Sequence, residues 1–197
     1  PKVVRRVGPR VVRRAMPRGK MSSSIPEGSA HDRGVQAAGT SAAVLTVSDS
    51  CSRGEKPDLS GPAVAEALER RGFRVVERGL VADEQGEIQE KLIRLCGMAR
   101  LVVTTGGTGI AARDVTPEAT RAVCDRIIEG IGELMRAEGI RRTRFAALSR
   151  GVCGARETCL ILNLPGSPAG AVESLDAVID LLPHALDLVA GKTEHIG

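Results

Sequence analysis

Tryptophan and tyrosine are absent from this chain, and phenylalanine occurs only as Phe73 and Phe145. Single-stranded nucleic acid is commonly held by stacking its bases on aromatic rings, so nucleic-acid binding of that kind is argued against at the outset. Nor does any apolar run approach the roughly 20 residues that a membrane-spanning helix requires. Zinc-ligand spacing is missing too. Cys51, Cys96, Cys124, Cys153 and Cys159 are scattered without a C-x-x-C, as are His31, His184 and His195. Separated cysteines of odd number in a chain with an ordinary core do not make a disulfide framework, and the expectation is reduced thiols in a cytoplasmic protein.

Acidic residues are nearly lacking from one stretch only. Residues 1–40 hold nine Lys and Arg against Glu27 and Asp32, leaving 19 of the 28 basic and 22 of the 24 acidic residues to positions 41–197. The pI near 9.0 therefore describes an extension, and the remainder is mildly acidic. A nucleic-acid partner inferred from overall pI would be an error. Residues 1–40 are rich in Arg, Pro, Gly and Ser without apolar periodicity, and are expected to be a disordered basic extension. Met21 followed by three serines reads as a start site; a transit-like peptide and a tether to anionic surfaces are the alternatives.

From residue 42 strands and helices alternate. Ala42–Val47 is an unbroken apolar run, as in a strand covered on both faces. Ser60 can open a helix carrying Val64 and Leu68 that stops at Gly72, and Phe73–Val76 resumes a strand. Asp83 and Glu84 open a helix with Ile88, Leu92 and Leu95 at helical spacing. Leu101–Thr105 is a third strand, Thr116-Pro117-Glu118 starts a helix, and Ala146–Ser149 and Thr158–Asn163 read as further strands. Pro168–Leu182 and Pro183–Ala190 read as helices divided by the proline. The expected fold is α/β: a three-layer sandwich with a mostly parallel sheet and helices on both faces. It is expected to span 41–192, followed by a short tail, 193–197.

Ligands of such sheets sit beyond the carboxyl ends of the strands. Four loops there are rich in small polar or acidic residues: Ser48-Asp49-Ser50, Val81-Ala82-Asp83-Glu84, Thr105-Gly106-Gly107-Thr108-Gly109 with Arg113-Asp114, and Asn163-Leu164-Pro165-Gly166-Ser167. Glycine amides, hydroxyls and carboxylates converging on one edge suit metal-assisted phosphate chemistry. Gly107-Thr108-Gly109-Ile110-Ala111-Ala112 formally matches a dinucleotide fingerprint, but it follows the third strand and does not open directly into a helix, Arg113-Asp114-Val115 coming before the Thr116-Pro117 start. No Walker A loop occurs. Asp83 and Asp114 together are a candidate Mg²⁺ pair, and Asp49 is a candidate hydrogen-bond partner for a ligand. Arg113 can meet a phosphate or be a solvated loop charge. Ser149, Arg150 and Asn163 can offer donors and acceptors to a heterocycle. Cys153 and Cys159 lack a nearby base, which argues against a cysteine nucleophile.

T-V-S-D-S (46–50), D-L-S-G-P (58–62), V-A-D-E (81–84), T-G-G-T-G (105–109), R-D-V-T-P-E-A-T (113–120), A-L-S-R-G (147–151) and N-L-P-G-S-P (163–168) stand in one order across 42–190. In this the chain closely resembles the molybdopterin adenylyltransferase family of molybdenum cofactor biosynthesis, which includes the G domain of gephyrin. The resemblance implies transfer of AMP from Mg-ATP to the terminal phosphate of molybdopterin, with release of pyrophosphate. It implies that Asp83 and Asp114 are catalytic, acting through Mg²⁺ and the ATP phosphates, and that Gly106, Gly107, Thr108 and Gly109 approach phosphate or pterin. Ser48, Asp49, Ser60, Ser149, Asn163, Pro165, Gly166 and Ser167 match pocket positions. Thr105 and Arg113 join them on the reading above. A homotrimer or hexamer and handover to a molybdenum insertase are also implied, with no nucleic-acid or membrane partner. A paralogue that carries or scaffolds molybdopterin without adenylylating it is the alternative. The Arg-rich residues 1–20 have no family counterpart, and Cys153–Cys159 is taken as a variable loop with no site residue.

Overall fold

The structure, a computed structural model, describes Ala37 and residues 39–192. The readings placed on the basic extension, including the start at Met21, and on the tail 193–197 lie outside the described residues, apart from Ala37, Gly39 and Thr40. Among the described residues no helix is long and apolar enough to cross a membrane.

Six strands form one sheet in the order β2-β1-β3-β6-β5-β4: β1 (Ser41–Val47), β2 (Arg74–Val81), β3 (Leu101–Thr105), β4 (Arg126–Ile127), β5 (Cys153–Arg156) and β6 (Cys159–Leu164). The pairs β1/β2, β1/β3 and β3/β6 are parallel, and β4 and β5 add an antiparallel edge. The sheet is thus mostly parallel, as its near-continuous apolar strands require.

Side chains alternate across this sheet and create two cores. Ala42, Val44, Leu101, Val103, Leu160 and Leu162 face one way, toward α2 (Ser60–Arg70), α5 (Glu129–Ile140), α6 (Pro168–Asp176) and α7 (Leu182–Val189). Ala43, Leu45, Val47, Val102 and Ile161 face the other, toward α3 (Gln85–Cys96) and α4 (Thr116–Val123). Ile88, Leu92 and Leu95 of α3, expected from their spacing, are fully buried. Each face is sealed by a different set of helices, which makes the three layers.

The structure departs from expectation in several places: α6 ends at Asp176 and α7 begins at Leu182, so Pro183 lies in the first turn of α7, where it needs no amide donor, rather than between the two helices. Ala146–Ser149 is not a strand but part of a 3₁₀ turn, Arg144–Leu148, capped by Thr143, whose hydroxyl accepts from the Phe145 amide. Phe145 and Leu148 stay exposed, because β4 already occupies the sheet edge that such a strand would join. Cys153–Cys159, taken as a variable loop, is the β5–β6 hairpin, turned by Glu157 at φ 50°. β2 runs on to Val81 across a bulge opposite Ala42/Ala43, which carries Ala82-Asp83 to the strand end. Helix α3 begins at Gln85, so Asp83 lies ahead of the helix and is released for other contacts. Fold order here is the means by which the four polar loops meet.

Candidate active site

The chain leaves β1 for β2 on one side, while β3 pairs on the other, so the β1/β3 junction is the switch point of the sheet. A cleft of about 360 Å³ opens there, lined by Ser48, Asp58, Asp83, Gly106, Gly107 and Asp114 among others. Ser60, Thr105, Gly166 and Cys51 also reach it.

Its floor is main chain. Gly106 has φ 102°, and a Cβ there would overlap the carbonyl oxygen of Val47 on the neighbouring strand. Gly107 has φ 60°, and a Cβ there would meet Thr116 Oγ1 and come within 3.0 Å of Asp83 Oδ1. Only glycine fits either position. The turn is held by Thr116, whose hydroxyl donates to Gly106 O at 2.9 Å and whose amide donates to Gly107 O at 3.1 Å.

Three strand-end loops are cross-tied, the first of them running into the single-turn helix α1 (Asp49–Ser52). The Asp49 amide donates to Asp83 Oδ2 at 2.7 Å, and the Asp83 amide donates to Asp49 Oδ1 at 3.0 Å. Arg113 grips both oxygens of Asp49, at 3.0 and 2.9 Å, and gives a third hydrogen bond to Glu84 at 2.6 Å. The Arg113 guanidinium holds the Asp49 carboxyl below the usual carboxylate range. Burial pushes the Asp83 carboxyl up; its bond from the Asp49 amide opposes this, and the nearby charges of Asp49 and Asp114 reinforce it. Asp114 closes a turn, its Oδ2 accepting from the Ala111 amide at 2.7 Å.

A carboxylate disfavoured by burial and by two like-charged neighbours is one that a cation relieves, so the donor chemistry of Asp83 and Asp114 fits Mg²⁺. Among the described residues there is no group of three or more His, Cys, Asp or Glu arranged to hold a metal alone. Mg²⁺ commonly rests on one or two carboxylates and takes its remaining ligands from water and substrate phosphates.

Not every residue expected at the site stands in the cleft. Asn163 is 1% exposed; its amide donates to Thr104 Oγ1 at 3.0 Å and Thr120 Oγ1 at 2.9 Å, and its Oδ1 accepts from the Val152 amide. It joins β3 and β6 to α4 inside the protein and presents nothing to a ligand. Ser149 accepts from the Gly151 amide away from the cleft, and Ser167 caps α6 by accepting from the Gly170 amide. Pro165 and Ser167 instead border a larger cleft of about 510 Å³ between α5 and α6, crossed by the Arg142–Glu173 ion pair and holding none of the aspartates expected at the site. Thr108 is buried, and Gly109 stands against Asp114 Oδ2. The sequence reading misses Asp58. Its carboxylate accepts from Thr46 Oγ1 at 2.7 Å and from the Gly61 amide at 3.0 Å, pinning the start of α2 to the end of β1. The signal available is D-x-x-G immediately before a helix.

Glycine main chain and clustered aspartates over a topological switch point define an α/β protein built to hold a phosphorylated ligand. The chain belongs to the family described as "Probable molybdopterin binding domain", which matches residues 43–184. It is 45% identical over 153 residues to the molybdopterin adenylyltransferase of Helicobacter pylori J99, covering 76% of this chain and 87% of that protein. It is 43% identical over 142 residues to the molybdopterin adenylyltransferase of Escherichia coli K12, covering 70% and 72%. Among solved structures it resembles the molybdopterin biosynthesis enzyme MoaB of Thermus thermophilus, with a TM-score of 0.72 and 51% identity over 78% of this chain and 98% of that one.

Proposed function

We propose that the protein is a molybdopterin adenylyltransferase, joining AMP from ATP to the terminal phosphate of molybdopterin. An oxygen of that phosphate attacks the α-phosphorus of ATP, one P–O bond forms, the bond to the β-phosphate breaks, and pyrophosphate leaves. The observation that carries this reading is the turn Gly106–Gly107 set against Asp83 in the β1/β3 cleft, with Asp114 also in its lining.

The nucleophile is already an anion, so the chemistry asks for placement and charge neutralisation rather than a strong base. The bare main chain at Gly106 and Gly107 lets a phosphate come close. Asp83 and Asp114 would hold Mg²⁺, which when bound neutralises phosphate charge. Asp49 and Arg113 keep Asp83 in place through the reciprocal amide bonds and the bidentate grip. With no Trp or Tyr in the chain, pterin and adenine are held by polar edges and aliphatic packing. A trimeric or hexameric assembly, a cytoplasmic location and handover to a molybdenum insertase belong to the same proposal.

The test is incubation of purified protein with molybdopterin and Mg-ATP, followed by chromatography for adenylylated pterin. Product that requires Mg²⁺ and is lost in Asp83→Ala and in Asp114→Ala supports the proposal. Tight pterin binding without AMP transfer would leave a carrier or scaffold instead.

A further inference from the structure

We infer that Arg150 is a positioning residue for the site, the clasp that fixes the glycine loop and Asp114 from outside the cleft. The inference rests on the adenylyltransferase reading for its catalytic consequence but not for its geometry. Arg150 follows the 3₁₀ turn Arg144–Leu148 and lies outside the lining of the β1/β3 cleft. Its amide donates to Thr108 O at 2.9 Å and its Nε to Gly109 O at 2.6 Å. One terminal nitrogen donates to the carbonyl of Asp114, and the other pairs with Glu118 in the first turn of α4.

These contacts close a bracket. Thr108 and Gly109 are where the chain leaves the turn, and Asp114 is where it returns before α4. One planar guanidinium spans the base of the 110–113 excursion, whose far end is tied by Arg113 to Asp49 and Glu84. The fixed fork of arginine can meet two carbonyls and a carboxylate at once, which a lysine ammonium on its flexible stem cannot do in the same geometry. Arg150 is itself anchored, because Arg136 of α5 donates to the carbonyl of Gly151 at 3.2 Å. Loss of the fork frees the segment that presents Asp114 while leaving the buried sheet intact.

The variant is Arg150→Lys, which keeps the charge and removes the fork, with Arg141→Lys on the exposed end of α5 as the control. Amide exchange over 106–118 in the ligand-free protein is expected to quicken at least about tenfold in Arg150→Lys, since even one lost charge-assisted hydrogen bond raises local opening by about that factor. In the catalytic arm, kcat for AMP transfer falls about tenfold or more and the Mg²⁺ concentration for half-maximal rate rises, while the Kd for molybdopterin holds within about twofold. In Arg150→Ala, added guanidinium ion restores part of the rate. Exchange no faster than in Arg141→Lys would overturn the clasp. Faster exchange with unchanged kcat and Mg²⁺ dependence would overturn the positioning role. If wild-type protein makes no adenylylated pterin, the adenylyltransferase reading fails, and the exchange arm alone decides the clasp.

Discussion

Replacing Gly106 with alanine perturbs the floor of the cleft at its least forgiving atom. The new Cβ would sit inside the van der Waals envelope of Val47 O, and Thr46 and Thr105, just before these residues, are paired partners in the β1/β3 ladder. Relief requires the two strand ends to part by about 1 Å, which weakens one or two ladder hydrogen bonds at about 1 kcal/mol each. Holding a residue with a side chain at φ 102° adds about 1–3 kcal/mol. The sum, about 2–5 kcal/mol, is a large part of the stability of an ordinary domain. At roughly 2–4 °C per kcal/mol for a chain of this size, the melting point falls by about 10 °C. The measurement is urea unfolding of Gly106→Ala beside Gly130→Ala, since a Cβ on Gly130 in α5 meets nothing within 4 Å. The helical substitution is expected to gain about 0.5 kcal/mol. If both variants unfold at the wild-type urea concentration, the reasoning about Gly106 is wrong.

Other outcomes follow from the carboxylates and the buried amide. Because Asp83 titrates above the ordinary aspartate value, kcat/KM for AMP transfer should fall with acid earlier than an unperturbed aspartate would allow; Asp49→Asn, which removes one like charge, should move that limb to lower pH. The same pair has opposite effects on stability. The Asp49 contribution is present above its unfolded value and lost as pH falls through its lowered one, whereas the Asp83 contribution is present below its unfolded value and lost as pH rises through its raised one. Urea midpoints between pH 3 and pH 7, for wild type and Asp49→Asn, read the difference. Asn163→Leu strands the hydroxyls of Thr104 and Thr120 and should cost about 2–4 kcal/mol in urea unfolding, with the pterin affinity of the folded fraction unchanged. Lost affinity at full stability would return Asn163 to the cleft.

The parts legible in the sequence are those where period and chemistry agree. The apolar run of β1, the Ile88–Leu92–Leu95 spacing of α3 and the Thr116-Pro117 start of α4 announce their elements directly. Asp49, Asp83, Gly106 and Asp114 can be collected because parallel strands bring their carboxyl ends together. Helix α5 is silent: Gly130, Gly132 and Gly139 depress its propensity, and it is held by burial of Ile131 and Met135, which only the tertiary structure supplies. β4 and β5, of two and four residues, are too short for a period to show. Asn163 reads as a pocket residue because it stands two positions before Pro165-Gly166-Ser167, yet strand parity puts it on the face of Ile161, turned toward α4. The lesson is to count parity to the last residue of a strand before assigning that residue to the loop beyond.

A floor built from the backbone of Gly106 and Gly107 has a consequence for how such a protein can diverge. Point substitution edits side chains, and here there are none to edit: any Cβ at either position collides with the strand or helix behind it. Whatever this stretch of backbone recognises is therefore insulated from mutational drift. Change in ligand preference over evolutionary time has to be written on the rim, where the Leu59 side chain stands exposed.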